Sequence, residues 1–202
     1  CVDEKFPREA FEDLGYNVHV HGQKSYNGVA LLSKFPVEDI RRGLPGEDGH
    51  DNGEDHSRYI EGVIGAPTPF RFGCIYLPNG NPIGTEKFAY KLRWMARLFH
   101  HAADLLALEE PMALVGDYNV IPEPQDADRP ESWLSDALFQ PESRAAWRAI
   151  KNLGFTDAQA AVGAEPHGYT FWDYFRNAYA RDHGIRIDHL MLSPQAADRL
   201  VS

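Results

Sequence analysis

The strongest constraint on the fold of this chain is an amphipathic helix that lies between two apolar strands. Apolar side chains recur at spacings of three and four over residues 85–106, and this predicts a helix with one buried side, made by Phe88, Leu92, Met95, Phe99, Ala102 and Leu106. Thr85 is placed to act as the N-cap, and Pro111 follows the helix. Strands are predicted on either side, at 70–76 and 112–118. A helix that alternates with strands predicts a mixed α/β fold in which helices cover sheet faces.

Further elements continue this pattern along one domain that spans residues 1–202. Strands are predicted at 16–21, 29–32 and 59–66, and the last of these forms a hairpin with 70–76. Phe72, Cys74 and Tyr76 should then share one face, because side chains two residues apart on a strand point the same way. A second helix is predicted at 143–154 with Gly154 as its C-cap, and a last strand at 187–193.

Composition excludes several classes of protein. The chain has 202 residues, of which 43% are hydrophobic and 12% aromatic, enough to bury the core of one domain. It has no run of eighteen or more apolar residues, so we expect no membrane-spanning helix, and no signal peptide is visible. Cys1 and Cys74 are interpreted as free thiols in a reducing compartment rather than as a disulfide, and this favours a cytoplasmic location.

Charge is unevenly distributed along the chain. The formal net charge of −10 argues against a nonspecific binder of polyanions. However, the acidic residues concentrate in segment 39–61, whereas Arg176, Arg181 and Arg186 lie close together among aromatic residues. The net charge therefore does not exclude a nucleic-acid surface. The carboxylates at 51, 54 and 55 could bind a cation, but a solvated surface loop is the favoured interpretation.

A carboxylate and an amide follow the buried run MALVG. Asp117 and Asn119 stand two residues apart where this strand ends, so both should project toward the same side. Such a pair suits phosphoryl chemistry, because the aspartate can accept a proton from water or bind a metal. The asparagine can donate a hydrogen bond to a developing oxyanion. The alternative is an ordinary strand-ending turn, in which Asp and Asn bond to their own backbone.

Two further groups of residues attract attention near the end of the chain. Segment 169–175 holds five aromatic rings, and with the arginines that follow it could stack on bases or sugars, although core packing is the alternative. Trp172 and Arg176 are the substrate-binding candidates in this block. Asp188 opens an apolar strand, where a carboxylate needs a partner: a histidine to orient, a cation or an arginine.

The histidines point to no metal site on their own. His19 and His21 share one face of a strand, but no further ligand lies near them in the sequence. His100 and His101 are interpreted as solvated positions of the long helix.

Several motifs together resemble the exodeoxyribonuclease III family of AP endonucleases, within the endonuclease/exonuclease/phosphatase superfamily. They are GQKSYNGVALLSK (22–34), IYLPNG (75–80), VGDYNVIPEPQDADRPESW (115–133) and YTFWDYFRNAYARDHGIRIDHLMLS (169–193). The resemblance runs in order over almost the whole chain. It implies a four-layered α/β sandwich of two packed mixed sheets flanked by helices. It also implies cleavage of DNA beside abasic sites and degradation of duplex DNA from 3′ ends, with Mg²⁺ or, as a substitute, Mn²⁺.

The same resemblance implies a role for individual residues. Asp117 would align or deprotonate the attacking water, and Asn119 would hold the oxygens of the scissile phosphate. Tyr76 and Asn79 would also contact the phosphate, and Asp188 would orient a catalytic histidine. Other residues would help form the pocket for an extruded abasic sugar, which is easily flipped because no base pair must break: Phe171, Ile185 and Ile187.

Two family motifs have no counterpart in this chain. CVDEKFP resembles the residues just after the family's metal-binding Glu, and Ser202 comes before its Ser-Asp-His motif. We therefore expect the metal-binding Glu upstream of Cys1, terminal strands beyond both ends, and little activity from the 202-residue segment alone. The implied partner is duplex DNA with abasic sites or 3′ ends, without a membrane or an obligate protein partner. The alternatives are a phosphoesterase of the superfamily that acts on phospholipids or inositol phosphates, and a noncatalytic DNA-binding module.

Overall fold

The computed structural model describes residues 1–46, 56–163 and 168–201. The carboxylates at 51, 54 and 55 lie outside this part of the chain. The helices are α1 (Arg8–Glu12), α2 (Glu86–Leu106), α3 (Pro141–Lys151), α4 (Ala158–Ala161) and α5 (Pro194–Ala197). The strands are β1 (Asn17–His21), β2 (Val29–Ser33), β3 (Val37–Arg42), β4 (Tyr59–Ile64), β5 (Phe70–Tyr76), β6 (Met112–Asp117), β7 (Thr156–Asp157), β8 (Phe171–Trp172), β9 (Gly184–Ile185) and β10 (Asp188–Leu192).

A mixed sheet of six strands, in the order β3-β4-β5-β6-β10-β7, forms the centre of the fold. The predicted hairpin of β4 and β5 is antiparallel, as are the pairings of β10 with β6 and with β7. β5 and β6 are parallel, because the chain crosses over through α2 between them. The α/β class expected from the alternation of helix and strand is thus confirmed.

Helices α2 and α3 cover one face of this sheet. Their apolar side chains pack on alternate residues of the strands, including Tyr59, Ile75, Met112, Leu114 and Met191. The predicted buried side of α2 is confirmed in part, because Met95 and Ala102 are buried and the other four predicted residues are half-buried. The residues that are buried are Lys91, Trp94, Met95, Leu98, His101, Ala102 and Leu105. The apolar count missed Lys91 and His101 because they are polar.

His101 is a second correction on this face. His100 is exposed as predicted, but the His101 side chain is only 8% exposed. Its Nε2 lies 2.9 Å from the Glu61 Oε2 oxygen, and the Tyr59 hydroxyl donates to the same oxygen at 2.6 Å. The imidazole is buried because a partner on β4 satisfies it, and a single sequence does not reveal that partner.

The opposite face of the sheet carries a small antiparallel sheet of β1 and β2. Val29 and Leu31 of β2 pack on Ile60, with Phe72, Cys74 and Tyr76 beside them, so these three residues share a face as predicted. Helices α4 and α5 cover the far end of the same face. The layered α/β arrangement agrees with the expectation, but within the described ranges the second sheet is this antiparallel pair rather than a mixed sheet.

The helix ends differ in detail from their predictions. Thr85 occupies the N-cap position of α2, but its hydroxyl donates to the Pro82 carbonyl at 2.7 Å instead of accepting from the helix. Helix α3 ends at Lys151, and Gly154 follows it with a φ of +133°. In the part of the chain that the structure describes, no helix is long and apolar enough to cross a membrane. Cys1 and Cys74 are both free thiols, as expected.

Gly116 permits the closest approach of two central strands. Its φ is +133°, and a Cβ atom there would lie 2.1 Å from the carbonyl oxygen of Ile75 on β5. We expect Gly116→Ala to lower the free energy of unfolding by about 3 kcal/mol or more, since backbone strain and a steric clash add. Urea denaturation measures this change.

The matched control is Gly84→Ala. Gly84 also has a positive φ, of +74°, but a Cβ there meets no atom within 4 Å. The control should therefore lose only the strain contribution, on the order of 1 kcal/mol. Equal losses in the two variants would show that the close approach of β5 and β6 does not matter for stability.

Candidate active site

Three side chains named from the sequence stand in one row across the central sheet. Tyr76 of β5 pairs with Asp117 of β6, and Asp117 pairs in turn with Asp188 of β10. Side chains alternate along each strand, so all three project from the face opposite α2. The structure therefore brings together residues that are 41 and 71 positions apart in the chain.

Asn119 completes a tight turn immediately after this row. Its φ is +47°, and its backbone N–H donates to Asp117 Oδ1 at 2.8 Å. Its side-chain Nδ2 donates to the Leu77 carbonyl at 2.8 Å and to Asp117 Oδ2 at 3.1 Å. The strand-ending turn considered as the alternative is present, and the same turn holds Asn119 against the aspartate. The two interpretations of this pair are therefore compatible.

Asn79 approaches this turn from the neighbouring loop. Its Nδ2 donates to Asn119 Oδ1 at 3.2 Å, although the two residues are 40 positions apart. Asn79 is exposed, whereas Asn119 is only 5% exposed. A fixed amide and an accessible amide thus lie together beside the Asp117 carboxylate.

The environment of Asp117 favours its protonated form. Burial raises its pKa to about 7, and the negative charge of Asp188 contributes in the same direction. The hydrogen bond from the Asn119 backbone and the positive charges of Lys91 and Arg58 oppose this rise. A carboxylate whose pKa lies near neutral pH is suited to accept a proton from water.

Two cations near the row were not found by sequence reasoning. Lys91 of α2 is fully buried, and burial lowers its pKa to about 7. The Arg58 guanidinium lies 5.1 Å from the centre of the Tyr76 ring and donates to the Tyr76 carbonyl at 3.1 Å. One sequence signal could have identified Lys91. It lies three residues after Phe88 and four before Met95, at a helical position where the pattern predicts an apolar side chain. Both side chains partly oppose the negative charge of the Asp117 carboxylate.

The aromatic and arginine block divides into exposed and buried parts. Phe171 pairs with Ile185 across β8 and β9, and Phe171 is 37% exposed. Ile185 and Ile187 are only 2% and 5% exposed and pack with Ile121 and Leu138, so they support the wall of a pocket more than they line it. Their contact with a sugar stays a prediction.

Trp172 is half-buried, whereas Arg176 is exposed. The Trp172 indole donates to Asp182 at 3.1 Å. Arg176 lines an open cleft of about 780 Å³ together with Trp133 and Phe175. These positions leave a stacking or phosphate-binding role open to both side chains.

Arg186 is a different case from its neighbours in the sequence. Its guanidinium is buried and donates to Asp126 at 2.7 Å and to Asp157 at 2.8 Å. It also lies 3.1 Å from His189 Nδ1. The grouping of Arg186 with an exposed cluster of arginines and aromatics is therefore wrong, because the strand turns this side chain into the interior.

Asp188 is held in place through its backbone. The hydroxyl oxygen of Thr170 accepts from the N–H groups of Ile187 and Asp188 at 3.1 and 3.0 Å. Thr170 was not identified as a candidate, although it stands beside the quoted aromatics. His189 faces the other side of the sheet and contacts the Val120 carbonyl at 3.0 Å. The role of Asp188 in orienting an imidazole stays a prediction.

The residues present do not form a complete metal site. Asp117 and Asp188 offer two carboxylates side by side. Within residues 1–46, 56–163 and 168–201, no group of three or more His, Cys, Asp or Glu side chains could hold an ion. This also applies to His19 and His21. The donor set of the described residues is therefore too small for a divalent cation that is bound by protein groups alone.

Comparison with known proteins gives a consistent result. Residues 1–202 match the Endonuclease/Exonuclease/phosphatase family. Exodeoxyribonuclease III of Haemophilus influenzae is 32% identical over 213 residues, which cover 99% of this chain and 77% of that protein. DNA repair nuclease APEX1 of Danio rerio is 31% identical over 174 residues, 85% of this chain but only 53% of that protein.

Solved structures show the same relationship. An AP endonuclease from Archaeoglobus fulgidus superposes with a TM-score of 0.90 and 32% identity, over 100% of this chain and 76% of that one. The 3′ phosphatase NExo from Neisseria, bound to a product DNA hairpin, gives a TM-score of 0.89 and 31% identity, over 97% and 74% of the two chains.

Proposed function

This chain belongs to the Endonuclease/Exonuclease/phosphatase family, and we propose that it hydrolyses DNA phosphodiester bonds in repair, as an exodeoxyribonuclease III-like nuclease. The observation that carries this proposal is the row of Tyr76, Asp117 and Asp188, with the Asn79 and Asn119 amides beside it. It combines a carboxylate suited to accept a proton with donors suited to phosphate oxygens. The relatives named above are nucleases and a phosphatase that act on DNA by their names and titles.

The chemistry that we infer begins at Asp117. Its carboxylate takes a proton from water, and the resulting hydroxide attacks phosphorus while the bond between phosphorus and the 3′ oxygen of the preceding sugar breaks. The departing 3′ oxygen takes up a proton from solvent and leaves as a hydroxyl group. The accessible Asn79 amide donates to the phosphate oxygens as negative charge develops on them, and Asn119, whose Nδ2 donates to Leu77 and Asp117, holds the Asp117 carboxylate in place. Tyr76 stands beside the same oxygens, and burial, with a smaller contribution from the charge of Asp188, raises the pKa of Asp117 to about 7.

For the substrate we propose duplex DNA with abasic sites or 3′ ends. Phe171 presents an exposed ring near the site, and Trp172 and Arg176 present a ring and a charge that could follow the backbone. Ile185 and Ile187 would stiffen the wall that receives an extruded sugar. The cytoplasmic location and the lack of an obligate protein partner remain predictions of the sequence.

The cofactor that we propose is Mg²⁺, with Mn²⁺ as a substitute. A divalent cation, when bound, neutralises charge on the phosphate. Among the described residues, Asp117 and Asp188 are the paired carboxylates that would face such an ion, together with waters and the phosphate of the substrate.

The test of this function measures cleavage of a duplex with a single abasic site, using the protein with its native termini. We expect cleavage with Mg²⁺, a loss of about 10³-fold or more in EDTA, and recovery on adding Mg²⁺. The control is the same duplex without the abasic site and with blocked 3′ ends. Hydrolysis of inositol phosphates or phospholipids in place of DNA would contradict the proposal, as would cleavage that survives EDTA.

A further inference from the structure

A buried lysine lies below the active site. Lys91 lies in the middle of α2, and its side chain has no exposure to solvent. Its Nζ donates to the backbone carbonyl of Asn79 at 3.1 Å and also to the backbone carbonyl of Asn119. In the described part of the chain no carboxylate forms a salt bridge with it. Burial of a lysine costs free energy of folding unless hydrogen bonds satisfy its amino group.

The two carbonyls belong to the two loops that carry the active-site amides. Asn79 follows β5 and Asn119 follows β6, and the amides of these residues meet at 3.2 Å. The relative position of the loops therefore determines where both amides point. Among the described residues, Lys91 is the side chain that donates to the backbone of both residues at once.

The stem of the same lysine also supports one loop by packing. Gly80 has a φ of +91°, and a Cβ there would lie 2.6 Å from Lys91 Cδ and 3.2 Å from the Ala137 side chain. The loop after Asn79 thus rests directly on the aliphatic part of Lys91 while its carbonyl binds the Nζ. Packing and hydrogen bonding hold the loop in the same place.

We propose that Lys91 is a positioning residue of the nuclease site. It fixes the Asn79 and Asn119 loops relative to each other, so that Asn119 holds the Asp117 carboxylate and the Asn79 amide is aligned before the phosphate arrives. Preorganised donors accelerate a reaction because they need no rearrangement as charge develops. This inference rests on the proposed function, but the placement of the loops can be measured without any activity.

The first experiment compares Lys91→Met with Leu98→Ala. Both residues are buried on the same face of α2, but Leu98 contacts neither loop through a hydrogen bond, so its variant matches a loss of packing alone. Under conditions in which both proteins are folded, we expect hydrogen exchange of segments 77–81 and 118–121 to rise about tenfold or more in Lys91→Met only. Equal exchange in the two variants would overturn the proposal.

The second experiment uses kinetics of abasic-site cleavage by the protein with native termini. Lys91→Met should lower kcat by about 10- to 100-fold with little change in KM, whereas Leu98→Ala should keep both near their wild-type values. In an Asn119→Ala background, the same Lys91 substitution should cost less than in the wild type, because only its effect through the Asn79 loop remains. Additive losses would contradict this coupling.

The outcomes separate the two proposals. If the wild-type protein fails to cleave DNA but Lys91→Met still loosens both loops, the nuclease function is wrong and the positioning of the loops stands. If the wild-type protein cleaves DNA while Lys91→Met behaves like Leu98→Ala in both experiments, the role of Lys91 is wrong and the function stands.

Discussion

Replacing Asp117 by asparagine is expected to lower kcat for abasic-site cleavage by about 10³-fold, because the amide cannot take a proton from water. Single-turnover cleavage with saturating enzyme measures this loss directly. The substitution keeps the size of the side chain, so the loss reports on the carboxylate rather than on packing. Asp198→Asn, in a residue just beyond α5, is the control and should cleave at the wild-type rate.

The same variant should change how stability depends on pH. The pKa of Asp117 is raised from its model-compound value of 3.8 to about 7, chiefly by burial. Between these values the folded protein binds more protons than the unfolded chain, so its free energy of unfolding falls as pH rises from about 4 to 7. Asp117→Asn removes this titration. From about pH 5 to about pH 7.5 the variant should therefore lose less stability than the wild type, by on the order of 2 kcal/mol.

Parallel urea denaturation of the two proteins at both pH values tests this expectation. If the free energy of unfolding has the same pH dependence in both proteins, the folded structure does not disfavour the charged form of Asp117. Retention of cleavage by the variant would separately refute its role as the base. The two results together indicate whether the site keeps a carboxylate at a cost in stability, as functional sites commonly do.

Replacing Arg186 by methionine is expected to be the most damaging substitution for stability. The guanidinium is buried between Asp126 and Asp157, and both are themselves less than 10% exposed. Removing it leaves two carboxylates buried without their cation, which costs about 3–5 kcal/mol. Thermal and urea unfolding measure the loss. Asp126 lies in the segment that follows β6, and Asp157 lies on β7. Arg186 therefore joins segments that are far apart in the chain.

The matched control is Arg176→Met. Arg176 lies ten residues earlier in the same block but is exposed, and in the described residues it takes part in no salt bridge. Its loss should change the free energy of unfolding by less than about 0.5 kcal/mol. A similar loss in both variants would mean that the buried network around Arg186 adds little to stability.

The comparison of sequence and structure shows where local pattern was sufficient. The apolar run that ends at Gly116 and the alternation before Tyr76 predicted β6 and β5, and period-two alternation placed Phe72, Cys74 and Tyr76 on one face. Asp117 and Asn119 were identified because a carboxylate and an amide end a buried strand. In each case the deciding interaction lies within a few residues in the chain, and a single sequence reveals such interactions.

The sequence pattern failed to identify polar side chains that are buried against partners far away in the chain. Lys91 and His101 occupy the buried side of α2, and counting apolar residues did not find them. Arg186 appeared to be part of an exposed basic cluster because its neighbours in the sequence are exposed. Its partners Asp126 and Asp157 come from two other segments, and the sequence around Arg186 does not indicate them.

The sequence by itself determined the class of the fold and the boundaries of the main strands, because these depend on periodicity, which is local. The candidate site residues were assigned their roles from the family resemblance of longer motifs. Only the tertiary structure decided that Tyr76, Asp117 and Asp188 form one row, and that Lys91 joins the Asn79 and Asn119 loops below it. The physical reason is that strand register and the satisfaction of buried charge are set by contacts between residues far apart in the chain.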